Sequence, residues 1–130
     1  MKPQELQKYL DAGWIVAKDG DVLNPVHGDK FLVLNANRVQ VVRQSGGFVR
    51  GCDDSTITNE YQRGGVCEVI DYAILHCFKQ SGGHAQAFYG KAMIVSIEQH
   101  GGCCRAYSKA ILADSDQSGG VCEVVERPFK

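Results

Sequence analysis

Residues 62–83 read QRGGVCEVIDYAILHCFKQSGG, and this stretch begins and ends with the same motif, Gln-x-Gly-Gly. The motif occurs five times, starting at Gln44, Gln62, Gln80, Gln99 and Gln117, with spacings of 18, 18, 19 and 18 residues. A fixed period indicates a repeat architecture, but a helical-hairpin repeat needs about 33 residues. Eighteen residues are enough for one coil of short β-strands and turns, at roughly 3.3 Å per strand residue.

Alignment of the repeats on the first glycine of each pair gives two columns of small or apolar residues, three and five positions after that glycine. The first column is Phe31, Val49, Cys67, Ala85, Cys104 and Cys122, and the second is Val33, Gly51, Val69, Ala87, Ala106 and Val124. The position between them is mostly polar. Such alternation predicts a half-buried strand.

A second strand follows in every repeat. Its eleventh-position column is Val39, Ile57, Leu75, Ile94 and Leu112, and its ninth-position column is Asn37, Ser55, Ala73, Ala92 and Ala110, with the extra residue of the long repeat placed near Tyr89–Gly90. We therefore predict an all-β fold, a single-stranded parallel β-helix (β-solenoid). Residues 26–130 would form about five to six rungs of 18 residues.

The N-terminal segment differs from the repeats. Residues 3–11 are predicted to form a helix whose Leu6, Tyr9 and Leu10 face the first coil, so that residues 1–25 act as a cap and irregular first rung. At the other end, Pro128 can block further strand pairing. The whole chain is expected to be one domain.

The repeated corner motif has a physical explanation for its glycines and two for its glutamines. The glycines suit a turn that needs positive φ or a tight backbone approach. The glutamines either form an amide ladder, in which each side chain hydrogen-bonds to the next, or are simply exposed to solvent.

Composition limits the classes of function. The net charge is −1, which does not suggest a nucleic-acid partner or a membrane surface. No apolar run approaches the roughly 18 residues of a membrane span, and residues 1–10 are too polar for a secretory signal. A cytoplasmic location is the expectation.

Cysteine and histidine spacing does not indicate a metal site or a cofactor. The six cysteines contain no C-x-x-C pair, and three of them, Cys67, Cys104 and Cys122, fall in an inward column where Cys behaves as a small hydrophobe. The four histidines fall in columns that do not converge within one chain. We therefore expect no cofactor and no metal.

Residues 26–126 resemble known β-helix repeats. The segments Ala85–Ala92 and Cys104–Ala110 look like the Ala-x-Ala-x-x-Gly-x-Ala repeats of bacteriophage and bacterial β-helix proteins, and the Ser-Gly-Gly corner is similar to passenger repeats of autotransporter adhesins. Hexapeptide acyltransferases also have 18-residue coils, but they carry an aliphatic residue at every sixth position on all three sides. The Gln-x-Gly-Gly side of this chain does not follow that pattern. The resemblance implies a β-helix and no particular activity.

One column of the outward surface is unexpectedly apolar. The tenth-position residues Ile74, Met93 and Ile111 should point away from the core, and Val95, Phe78 and Ile97 lie close by. They either belong to a wider core or form an exposed stripe that marks a partner surface. A second outward column places Arg50 beside Glu68 as a cross-rung ion pair.

These observations favour a non-enzymatic protein that acts by protein–protein contact and forms a homodimer, with the six stripe residues as its interface. The phage-like repeat style is compatible with a phage-encoded inhibitor of a host defence complex. The alternatives are a transferase of the hexapeptide type, with His76 or His84 as the base at a subunit interface, and a structural component of a phage particle or polymer.

Overall fold

The computed structural model describes residues 2–34, 38–88, 91–107 and 111–125, and within the last range the side chains of residues 112 and 117–121. The first element is the predicted helix, α1 (Pro3–Asp11). No helix in the described part of the chain is long and apolar enough to cross a membrane.

Thirteen strands follow in the described residues, where the chain alternates between two sheets and the strand pairs are parallel. The odd-numbered strands form the first sheet: β1 (Ile15–Ala17), β3 (Lys30–Val33), β5 (Phe48–Gly51), β7 (Val66–Ile70), β9 (His84–Phe88), β11 (Cys103–Tyr107) and β13 (Val121–Val125). The even-numbered strands form the second: β2 (Val22–Leu23), β4 (Arg38–Val41), β6 (Thr56–Asn59), β8 (Ile74–Gln80), β10 (Met93–Gln99) and β12 (Ile111–Gln117). The predicted parallel β-solenoid is confirmed.

The aligned columns of the sequence are the ladders of the structure. Ile57 pairs with Leu75, and Leu75 pairs with Ile94, so the eleventh-position column is a continuous row. These three side chains are fully buried between the sheets, together with Cys67 and Ala85 from the first sheet. The ninth-position residues Asn37 and Ala110, the insertion near residues 89–90 and Pro128 lie outside the described residues.

Each Gln-x-Gly-Gly motif forms the turn from the second sheet back to the first, which we call the glutamine corner. The second glycine has positive φ, as in Gly83 at 78°, a conformation that other residues adopt at a cost. The first glycine is required by close stacking, because a Cβ at Gly82 would lie 2.2 Å from the carbonyl oxygen of Arg63 in the previous rung.

The glutamines form an amide ladder inside the corner. Gln44, Gln62, Gln80 and Gln99 are fully buried. Gln80 Nε2 donates to Gln62 Oε1, and Gln99 Nε2 donates to Gln80 Oε1, both at 3.0 Å. The same nitrogens donate to main-chain carbonyls of the following rung, such as that of Cys103 for Gln80. The ladder interpretation is therefore correct for Gln62, Gln80 and Gln99, whereas Gln44 Oε1 accepts from Asn59 Nδ2 at 3.0 Å and Gln117 is exposed.

Helix α1 does not lie across the open first coil as predicted. Its Leu6 and Tyr9 pack, with Trp14, against Leu32, Leu34 and Cys52, which lie on the outer side of the first sheet. Leu10, which was expected to face the coil, is 44% exposed. The reason is that the outer face of the first three rungs is itself apolar at Leu32, so it offers the helix a larger surface than the end of the coil.

A polar contact continues this packed region. The Arg50 guanidinium lies 5.8 Å from the centre of the Tyr9 ring, and its Nε lies 3.5 Å from the Glu68 carboxylate. The predicted cross-rung pair of Arg50 and Glu68 is thus confirmed. Burial raises the pKa of Glu68, and the charge of Arg50 opposes that shift.

The cysteines are packing residues in the described part of the chain. Cys67, Cys77 and Cys104 are fully buried between the sheets or at their margin, and Cys52 is buried beneath α1. Burial raises the pKa of Cys67 and of Cys77 to about 12, so both thiols are neutral at physiological pH. The side chain of Cys122 lies outside the described residues.

Candidate functional site

The outer face of the second sheet carries the predicted apolar residues. In β8 and β10 alternate side chains point inward, where Leu75 and Ile94 are buried, and outward, where their neighbours are half-buried. Ile74 pairs with Met93, and Met93 pairs with Ile111, so the tenth-position column crosses three adjacent strands. The parallel pairing therefore places these three backbone positions in a row about 4.8 Å apart.

These residues lie on the surface and do not widen the core. Ile74, Met93 and Val95 are half-buried, Phe78 is 41% exposed and Ile97 is 39% exposed. We call these five residues the apolar stripe. The wider-core interpretation is wrong for these five residues, because they alternate with the inward-facing residues of β8 and β10 and none of them belongs to the buried core. The side chain of Ile111 lies outside the described residues.

The first rungs of the same face are polar. The outward side chains there are Gln40 on β4, Thr58 on β6 and Glu60 directly after β6. Gln40 Nε2 donates to Glu60 Oε1 at 2.7 Å. An open groove of about 440 Å³ runs over these residues and ends at Phe78. The face thus changes from polar to apolar along the solenoid axis.

A cluster of cations that was not predicted from the sequence borders the face at the glutamine corner. Arg43, Arg63 and Lys79 surround the ring of Tyr61, at 6.0, 5.9 and 5.6 Å from its centre. A hydrogen bond from the Ser81 hydroxyl, and then the nearby cations, lower the pKa of Tyr61. A signal was present in the sequence, since these residues stand directly before or after the repeated glutamines. The aligned core and stripe columns do not include those positions.

A second arrangement that was not predicted lies two rungs further on. His100 donates from Nε2 to the carboxylate of Glu98 and accepts at Nδ1 from the hydroxyl of Ser118. This hydrogen bond to His100 lowers the pKa of Glu98. The three side chains are the types that a serine hydrolase uses, but they lie on an open corner, and the two grooves of the described surface are lined by other residues. We interpret the network as a contact between successive rungs.

The other predicted candidates for catalysis are far apart in the fold. His76 is half-buried on the outer face of the second sheet, whereas His84 is exposed on the first sheet. The two histidines proposed as alternative bases are therefore not brought together within one chain. In the described residues, no three His, Cys, Asp or Glu side chains are grouped so that they could hold a metal ion.

A separate groove lies beside the helix. Tyr9 and Trp14 meet edge to face, with ring centres 5.3 Å apart, and line an open depression of about 390 Å³ with Glu5, Lys8 and Ala12. The ring of Trp14 also lies 6.2 Å from that of Phe48 on the first sheet. This groove results from the way in which the helix rests on the sheet.

The outer face of the second sheet is the surface that best combines exposure, apolar character and a charged border. Comparison of the chain with family models, with curated proteins and with solved structures returned no match.

Proposed function

We propose that the protein is a non-enzymatic binding module that contacts another protein through the outer face of its second sheet. The observation that carries this proposal is the apolar stripe, in which Ile74, Phe78, Met93, Val95 and Ile97 lie on two adjacent strands with their side chains outward. A contiguous apolar patch on a protein surface commonly marks an interaction site.

The way in which the stripe is built supports the same function. Each stripe residue alternates with a fully buried neighbour such as Leu75 or Ile94, so its backbone is fixed by the core. A surface on rigid strands loses little conformational entropy when a partner binds, because its side chains are already positioned. The half-buried Ile74 and Met93 lie at the starts of the two strands, and the more exposed Phe78 and Ile97, nearer the strand ends, offer aromatic and aliphatic anchors.

Site-specific photo-crosslinking tests the proposal. A p-benzoylphenylalanine at position 78 or 97 should give a crosslinked protein adduct in cells, because either position lies within the proposed interface. The same probe at Val121, which is 40% exposed on the first sheet, serves as the control and should give little adduct. Ile74→Glu combined with Met93→Glu should abolish the adduct at position 78, since charges in an apolar contact are costly.

The folded state of the double variant is checked by circular dichroism and thermal unfolding. Both side chains lie outside the core, so the melting temperature should change little. An adduct at position 78 that is no stronger than that at position 121, or that survives the double substitution in a folded protein, would contradict the proposed function.

A further inference from the structure

We infer that the partner of this face is a second copy of the same chain, packed face to face about a two-fold axis parallel to the solenoid axis. This inference rests on the proposed function and specifies its partner. In such a dimer the rungs of the two copies lie at the same level, and the strands of the two facing sheets run in opposite directions. A residue at the start of an outer strand then faces a residue at the end of the same strand in the other copy.

The apolar stripe matches itself in this arrangement. Ile74 lies near the start of β8 and Phe78 near its end, so Ile74 of one copy would face Phe78 of the other across the axis. Met93 and Ile97 have the same relation in β10, and Val95 at the middle of the strand would face its own copy. Two-fold interfaces are self-complementary in this way, and they close the assembly at two subunits.

The charges at the two ends of these strands are also complementary. We call the turns from the first sheet to the second, at residues 52–55, 71–73 and 91–92, the opposite corner. On the rung of β8 the opposite corner carries Asp71 and the glutamine corner carries Lys79. On the rung of β10 the signs are reversed, with Lys91 at the opposite corner and Glu98 at the glutamine corner. The two-fold axis would bring Asp71 to Lys79 and Lys91 to Glu98, twice each.

The sequence repeats the order of signs of the β10 rung in the next rung. Lys109 stands 18 residues after Lys91, and Asp116 pairs in register with Glu98, although residue 109 and the side chain of Asp116 lie outside the described residues. The rung of β4, which lacks stripe residues, does not follow the pattern, because both of its ends carry an arginine, Arg38 and Arg43. The rungs whose two ends carry opposite charges are therefore the rungs that carry the apolar stripe.

A two-fold axis along the strands is the competing geometry. Centred on the apolar rungs, it would reverse the rung order and place Lys79 opposite Glu98, while Asp71 would face Lys91. It would overlap only part of each face, since β2 and β4 would extend beyond the other copy. The axis parallel to the solenoid sets Arg38 opposite Arg43 on the rung of β4, but it overlaps all six strands, and we prefer it for this larger overlap.

The size of the face predicts the strength of the dimer. Six strands at about 4.8 Å and a width of about 20 Å give a footprint on the order of 600 Å² per copy. This is below the roughly 800 Å² per partner of standard stable interfaces. We therefore expect a weak, micromolar association that is sensitive to salt.

Charge exchange between two variants tests the geometry. Lys91→Glu would place two carboxylates against each other at this contact, and Glu98→Lys would place two ammonium groups there. Each variant alone should therefore self-associate more weakly than the wild type. In the mixed dimer, by contrast, both contacts join residues of opposite charge.

The mixed dimer has one contact between the two unmodified residues, Lys91 of the Glu98→Lys copy and Glu98 of the Lys91→Glu copy, and one contact between the two substituted residues, which again carry opposite charges. Both contacts are thus attractive. We expect the mixed dimer to be roughly tenfold tighter than either homodimer at low salt, and high salt should reduce that preference. Sedimentation of differently labelled proteins measures all three affinities.

The design includes its own folding control, because each variant must be folded in order to form the mixed dimer. Lys79→Glu mixed with Glu98→Lys is the comparison for geometry. Selective pairing in that mixture, with none between Lys91→Glu and Glu98→Lys, would overturn the axis proposed here. A wild-type protein that stays monomeric at several hundred micromolar would overturn the second-copy inference. A crosslink from position 78 to a different protein would in that case still support the proposed function.

Discussion

Buried polar side chains in this solenoid are tolerated because the repeat supplies their partners. Gln80 is fully buried, yet its amide nitrogen donates to Gln62 and to the carbonyl of Cys103, and its oxygen accepts from Gln99. A buried amide without such partners costs on the order of 1–3 kcal/mol. Gln62, Gln80 and Gln99 are therefore needed together, since the side-chain oxygen of each of the first two accepts from the amide of the next.

Buried thiols make the stability of the protein fall in alkaline solution. The pKa of Cys67 and of Cys77 is raised from 9.0 to about 12 by burial, so the folded state holds protons that the unfolded state loses. Their contribution is complete below pH 9 and is lost progressively as the pH rises toward 12. Between pH 8 and pH 10 each thiol should lower the free energy of unfolding by about 1.4 kcal/mol.

Urea unfolding at the two pH values measures this effect. The Cys67→Ala/Cys77→Ala variant is the control for every other group that titrates in the same range. It should lose nearly 3 kcal/mol less than the wild type between pH 8 and pH 10 (about 1.4 kcal/mol for each of two thiols). Equal losses in the two proteins would show that these thiols do not remain protected from ionisation.

Along a strand of the second sheet, successive side chains point alternately to the core and to the surface. This alternation changes at the end of the strand. In β8, Leu75 and Cys77 are buried and Ile74 and His76 are half-buried, but Phe78 and Lys79 are both exposed before Gln80 turns inward. The two consecutive outward residues shift the alternation by one position. This shift places the glutamine inside the corner, whereas Phe78 lies on the apolar stripe through the regular alternation that precedes it.

Two substitutions in β8 test the assignment of sides. Leu75→Asp places a carboxylate in the core, at a cost of several kcal/mol against a typical total stability of about 5–15 kcal/mol. The protein should therefore unfold or melt far below the wild type. His76→Asp, one residue away on the outer face, should shift the melting temperature by only a few degrees. Similar melting temperatures for the two variants would mean that the column alignment is wrong.

The molecule as a whole is a two-sheet coil with a helix attached to one outer face and an apolar stripe on the other. Helix α1 has no fully buried residue, and it covers Leu32, Leu34 and Cys52 mainly through Leu6 and Tyr9. The solenoid core does not include these residues. We therefore expect the helix to detach without unfolding the coil.

Labelling of Cys52 measures whether the helix is in place. Leu6→Asp should weaken the packing of the helix and make Cys52 react with a maleimide several times faster, because the thiol loses its cover. Leu10→Asp is the matched control, since Leu10 is exposed on the same helix, and it should leave the rate unchanged. Cys67 and Cys77 should stay protected in both variants. Simultaneous exposure of all three thiols would show instead that the helix and the coil unfold together.

The sequence by itself determined the solenoid, its two strands per rung and the role of the corner. Stacked rungs turn a repeated residue into a ladder, so the columns of Ile57, Leu75 and Ile94 could be read as core directly. A fixed period makes local spacing equivalent to spatial contact, and few other folds have this property.

Only the tertiary structure decided the features that do not follow the period. Helix α1 precedes the repeats, and its position on the outer face depends on the apolar surface that Leu32 and Cys52 form together. The cation cluster around Tyr61 joins side chains of three rungs, whose positions beside the repeated glutamines are periodic but whose contact with one ring is seen only in the structure. The stripe could be located from sequence, but only the structure showed that Ile74, Met93 and Val95 lie on the outer face and that a one-residue shift after Phe78 turns Gln80 inward. An alternation of period two cannot specify such a shift, because a single added residue reverses every later side chain.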